Sequence, residues 1–146
     1  MRILAVDHGE KRLGIAISDE RGVLARPLTV IRHTSREADV AQVLALAQQH
    51  GAELIVVGVS LDDEGRPNLA GRRAINFARA LQAQTTIPIR LWDEAFSTQE
   101  ARAARLAAGV RRKKRRGHLD EWAATMILQS YLDRHNNSPA TESAPS

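Results

Sequence analysis

The chain contains no cysteine, which excludes disulfides, thiolate metal sites and a cysteine nucleophile and suits a reducing compartment. Aromatic residues make up only 3% of the 146 residues, so aliphatic side chains must fill the core. No apolar run approaches the length of a membrane span. The first run meets Asp7 and Glu10 too early to be a signal peptide. Together these absences predict a cytoplasmic protein with no membrane partner. There is no Walker phosphate loop and no dinucleotide glycine pattern. The five histidines, His8, His33, His50, His118 and His135, are scattered, most of them at predicted turns or helix ends, which argues against a histidine metal site. Ser18, Ser60 and Ser97 lack an evident histidine base.

What is present is a 43% hydrophobic content in a length that suits one domain with a real core. The formal net charge is +4, yet Arg111, Arg112, Lys113, Lys114, Arg115 and Arg116 are consecutive, so the remainder is net negative. So dense a run is expected on a mobile, solvated loop. Arginine-rich loops of this kind suit phosphate, and nucleic acid is the favoured partner over a loop with none.

The first eighteen residues organise the rest. Ile3, Leu4, Ala5 and Val6 read as a strand buried on both faces, with Asp7 at its carboxyl end. Residues 9–12 predict a hairpin turn, and Leu13 to Ile17 the returning strand, with Gly14 leaving room for a close approach to the backbone. An Asp at a strand tip suits metal or phosphate chemistry, although it also suits a turn that bonds the following amides.

Residues 19–22 predict a turn and residues 23–32 a third antiparallel strand, with Pro27 marking an edge or a bulge. Thr34 to Glu37 has capping-box spacing ahead of a helix with Val40, Val43, Leu44 and Ala47 on its apolar face, ended by Gly51. The β-branched run at 54–59 predicts a central parallel strand. A helix over 69–84 carries Ile75, Ala78 and Leu81, and a further parallel strand over 87–92 ends at Asp93 and Glu94. A second capping box, Ser97 to Glu100, opens a helix to about Ala108. The last helix, 119–134, aligns Asp120, Ala123, Ala124, Ile127, Leu128 and Tyr131 on one face. A carboxylate heading that stripe calls for a partner or a metal, unless it only favours the helix N-terminus. The polar segment 135–146 predicts a disordered tail after a single domain, 1–134. The order predicts an α/β fold, a five-stranded mixed sheet (three antiparallel strands, then parallel ones) flanked by helices.

In such a sheet the ends of the first, fourth and fifth strands lie together. Asp7, Asp93 or Glu94, and Asp120 would then form an oxygen-rich site for Mg²⁺ or Mn²⁺. Two such ions roughly 4 Å apart support phosphodiester hydrolysis.

Asp7-x-Gly9-x-x-Arg12-x-Gly14-Ile15-Ala16, the VVG run at Val56 to Gly58, DEAFST from Asp93 and DEWAATMILQSYL from Asp120 together resemble the YqgF (RuvX) family over nearly the whole chain up to the tail. Its members are named as Holliday junction resolvases and as nucleases that process the small-subunit ribosomal RNA precursor. The resemblance implies a ribonuclease H-like fold and a divalent-metal-dependent nuclease with a two-metal site. It assigns Asp7, Glu94 and Asp120 as catalytic metal ligands, with Asp93 a lesser ligand. Arg12 and the basic loop, with the family's paired lysines at Lys113 and Lys114, would bind a precursor RNA or branched DNA. Two positions depart from the family pattern: Ala95 stands where an Arg is usual, and Ser60 where a Pro is usual. No strong dimer surface is legible, which predicts a monomer or weak homodimer. The competing expectations are a non-catalytic nucleic-acid-binding factor and, more remotely, an actin-like nucleotide module, for whose duplicated domains the chain is short.

Overall fold

A computed structural model describes residues 1–95 and 119–136, the side chains at 119–121 excepted. The second capping box with its helix, the basic run at 111–116 and the segment from 137 lie outside the described residues.

Strands β1 (Ile3–His8), β2 (Arg12–Ser18) and β3 (Ala25–Arg32) form an antiparallel meander. Helix α1 (Arg36–Gln49) leads to β4 (Leu54–Val59), which pairs in parallel with β1. Helix α2 (Leu69–Gln82) leads to β5 (Ile89–Asp93), parallel to β4, and α3 (Leu119–Asn136) is the last described element. The sheet order is β3-β2-β1-β4-β5, the predicted five-stranded mixed sheet. Pro27 lies on the edge strand, where its missing N–H costs no ladder bond, and the β2–β3 register shifts between Ile15 and Ala16 beside it.

The sheet has two apolar faces. Leu4, Val6, Leu13, Ile15, Ile17, Ile55 and Val57 pack with Val40, Val43, Phe77 and Leu81 of α1 and α2. Ile3, Ala5, Ala16, Leu54 and Val56 pack on the other side with Ala124, Ile127, Leu128 and Tyr131 of α3. Strand alternation thus produces near-continuous apolar runs, because helices cover both faces. Among the described residues, no helix is long and apolar enough to cross a membrane.

Four local details differ from expectation. The cap of α1 is Ser35, whose Oγ accepts from the Ala38 N–H at 3.1 Å; Thr34 instead donates its N–H to Asp39 Oδ1 at 3.2 Å. The buried face of α2 runs through Gly71, Ala74, Phe77, Ala78 and Leu81, so Phe77 replaces Ile75 as its centre. Strand β5 begins two residues later than predicted, after Pro88, which lends its carbonyl to the Ile55 N–H at 3.0 Å. Helix α3 continues through His135 and Asn136: the His135 ring stacks on Tyr131 at 3.9 Å, and Asn136 Nδ2 donates to the Gly22 carbonyl at 2.7 Å.

Candidate active site

Alternation divides the tip of β1 between the two faces. Asp7 follows Ile3 and Ala5 onto the α3 face, while His8 follows Leu4 and Val6 onto the α1–α2 face. Asp7 pairs with Gly14 on β2. On the other side, the β1–β4 register pairs Val6 with Val57, which makes Gly58 the next residue of β4 alongside Asp7.

Glu94 reaches the same place from the far side of β4. A Cβ added at Gly58 would stand 3.2 Å from both Cγ and Oε1 of Glu94 and 2.6 Å from Cδ1 of Ile127. The missing side chain at Gly58 therefore lets the Glu94 carboxylate and α3 both close over β4. Asp7 and Glu94 thus flank one glycine on one face of the sheet, although 86 residues of sequence lie between them.

Helix α3 runs from this end of the sheet to the other. Ile127 meets Gly58, Gln129 Oε1 accepts the Ala25 N–H at 2.9 Å, and Asn136 reaches Gly22 in the β2–β3 connection. At a rise of about 1.5 Å per residue, position 120 lies about 10 Å before Ile127, toward the carboxyl ends of β1 and β4. It shares a helical face with Ala124 and Ile127, both buried. The Asp120 side chain and the basic run lie outside the described residues.

Asp93 and Glu94, adjacent in sequence, take different sides. Asp93 pairs with Val59, which belongs to the α1–α2 core, and its Oδ1 accepts the Ala95 N–H at 2.8 Å. Trp92 pairs with Gly58 on the α3 face, where its Nε1 donates to Ser130 Oγ at 2.8 Å. Arg12 is exposed on β2, two residues before Gly14 and on the Asp7 face. Ser60 binds the Asn68 side chain at 2.7 Å, and Asn68 in turn caps α2 through the Gly71 N–H at 2.8 Å.

The structure also holds groups that the sequence reading passed over. Asp39 is fully buried, with Oδ2 on His33 Nδ1 and Oδ1 on the Thr34 N–H. Its spacing to Val43 and Ala47 was a legible signal, since all three fall on the buried stripe of α1. His8 lies near the Phe77 ring at 4.7 Å, and burial lowers its pKa, partly offset by the Asp39 charge. His8, His33 and Asp39 line a cleft of about 700 Å³ on the face away from Asp7.

Two carboxylates beside a glycine, with no nitrogen or sulfur donor between them, form a donor set that fits a hard divalent cation. Among the described residues, no three acids or histidines converge closely enough to hold one; the third carboxylate of the expected set is Asp120. A family model described as "RuvX: Holliday junction resolvase" matches residues 1–134. The chain belongs to the RuvX family. A RuvX relative from Syntrophus aciditrophicus (strain SB), named "Putative pre-16S rRNA nuclease", is 42% identical over 133 residues, or 91% of this chain and 89% of that one. The Desulforudis audaxviator (strain MP104C) protein of the same name is 35% identical over 141 residues, or 97% of this chain and 100% of its own.

Among solved structures, T. thermophilus RuvC in complex with a Holliday junction substrate matches with a TM-score of 0.61 at 17% identity, over 94% of this chain and 96% of that one. The fowlpox virus Holliday junction resolvase matches with a TM-score of 0.55 at 15% identity, over 92% and 99%. Those likenesses concern the fold, which is ribonuclease H-like, as the RuvX resemblance implied. Membership of RuvX makes this chain a nuclease, a hydrolase of phosphodiester bonds.

Proposed function

We propose that this RuvX protein is a divalent-metal-dependent nuclease that trims the precursor of small-subunit ribosomal RNA, with Asp7, Glu94 and Asp120 as its metal ligands. The observation that carries the reading is the pairing of Asp7 and Glu94 across Gly58, at the sheet end toward which the start of α3 projects. Substrate choice follows the names of the relatives, which cover nearly their whole length. Branched DNA, favoured by the family description, is the second reading. Asp93 is left out of the ligand set because its carboxylate serves the Ala95 amide on the other side of β5.

Bound Mg²⁺ or Mn²⁺ ions supply charge neutralisation at the scissile phosphate and acidify the attacking water. The chain's own part is geometric. Asp7 presents its carboxylate from the end of β1 and Glu94 from the residue after β5, and β4 between them pairs in parallel with both strands. Arg12 meets a substrate phosphate from the exposed start of β2, and the basic run at 111–116 holds the strand in place. A guanidinium suits this task because its planar fork matches two phosphate oxygens.

The test is a cleavage panel. Wild type and Asp7→Asn are incubated with Mg²⁺ or Mn²⁺ against a precursor ribosomal RNA fragment, a four-way junction and linear DNA. The variant removes one charge and keeps the shape, and cleavage should fall on the order of 10³-fold or more. Equal cleavage by the two proteins would refute the carboxylate assignment. Preference for the junction would move the substrate to branched DNA. Salt-sensitive binding with no turnover under either metal would mark a non-catalytic factor.

A further inference from the structure

The β2–β3 register sets Arg12 directly opposite Arg32, one pair beyond Leu13 and Ile31. Both are exposed. Like charges directly opposite on paired strands repel, and an anion held between them converts that cost into binding. Among the described residues, Lys11, Arg12, Val30 and Arg32 line an open groove of about 430 Å³, three of the four cationic. The cleft on the other face is different in kind: Glu10, Glu37 and Asp39 line it together with cations, and Arg73 already binds Glu10 there at 2.8 Å.

Backbone bonds hold the groove's walls in place. The His33 N–H donates to the Lys11 carbonyl at 2.8 Å, which ties the end of β3 to the start of β2, and the Gly9 N–H donates to the Arg12 carbonyl at 3.0 Å, which closes the β1–β2 turn beside it. Among the described residues the Arg32 side chain forms no hydrogen bond or ion pair. Alternation puts Arg12 and its partner Arg32 on the same face as Gly14 and Asp7. Two strand spacings, about 10 Å, separate β3 from β1.

We infer that this groove is a second phosphate seat, in which Arg32 grips the substrate's sugar-phosphate backbone to one side of the bond being cut. The inference rests on the nuclease reading for its substrate and adds a residue to it. Arg32 is a positioning residue: it sets where the strand lies across β1.

The experiment uses the full chain and the precursor ribosomal RNA fragment as probe. Binding is measured over a salt series in an Asp7→Asn background with and without Arg32→Ala, and with Arg32→Lys. Loss of one phosphate contact should lower the slope of log affinity against log salt by about 0.7 to 0.9. Affinity at low salt should fall on the order of tenfold, with Arg32→Lys keeping the slope because it keeps the charge. In the cleaving protein, Arg32→Ala should raise KM far more than it lowers kcat, with the melting temperature confirming that the exposed site has not disturbed the fold. An unchanged slope and KM in Arg32→Ala overturn the seat and leave the nuclease reading standing. A lowered slope in a chain that never cleaves supports the seat and overturns the nuclease reading, so the two fail separately.

Discussion

Asp39 and Asp19 sit in opposite settings, and each carries its own prediction. Asp39 is buried with its two oxygens on His33 and the Thr34 amide, so truncation leaves both partners unanswered. Asp39→Ala should cost about 1–3 kcal/mol, read as a lower urea midpoint with an unchanged slope. An unchanged midpoint would show that the clasp between α1 and the end of β3 adds nothing. Asp19 lies in the β2–β3 connection, where the amides of Val23 and Leu24 donate to its Oδ1 at 2.8 and 3.2 Å. Those bonds favour the carboxylate and hold its pKa below the usual 3.8. The folded chain then binds this proton less readily than the unfolded one. The stabilisation is present above 3.8 and lost as pH falls through the lower folded value. Thermal midpoints of wild type and Asp19→Ala should therefore differ at neutral pH and converge as the pH falls through the lowered folded value. A gap that persists in acid would assign the effect to something other than the carboxylate.

At the scale of elements, Gly58 decides how closely α3 and Glu94 approach β4. Gly58→Ala would set a methyl 2.6 Å from Ile127 Cδ1 and 3.2 Å from the Glu94 side chain, so one or both must move. Overpacking of this kind costs about 1–3 kcal/mol, and the displaced carboxylate should reduce cleavage beyond what the lost stability explains. Activity at full strength with a lowered melting temperature would show that Ile127 alone yields and the Glu94 carboxylate keeps its place. The helices also show where local reading works. Ser35 and Asn68 are caps because a short side-chain oxygen reaches an amide three residues on, a relation contained within one turn. Capping-box spacing pointed to Thr34, yet Ser35 supplies that oxygen, and the Thr34 amide donates to the buried Asp39. Helix α3 outlasts its expected end because Gly22, distant in sequence, holds Asn136, while Tyr131, one turn earlier in the same helix, stacks on His135.

For the molecule as a whole, the Asp7→Asn prediction has a second half. Two carboxylates sharing one sheet end repel each other without a cation, so the inactive variant should melt at the same temperature as wild type or higher. A lower melting temperature would make Asp7 a structural residue. The strands and their order were legible from the sequence: alternation, the hairpin at Gly9 and the β-branched run at 54–59 are short-range patterns set by which side chains a pleated backbone can bury. The same patterns placed Asp7 and either Asp93 or Glu94 at neighbouring strand ends, without choosing between the two acids. What brought Asp7 and Glu94 together is the parallel register of β1, β4 and β5, and that register depends on the fit of two helical layers to the sheet, not on any neighbouring residue. Register also sent Asp93 and Glu94 to different tasks and set Arg32 opposite Arg12, since a shift of one residue exchanges the faces of every side chain in a strand. The sequence by itself determined the elements and the acids at their ends. The tertiary structure alone decided which of those groups share a face, because facing is settled by long-range packing.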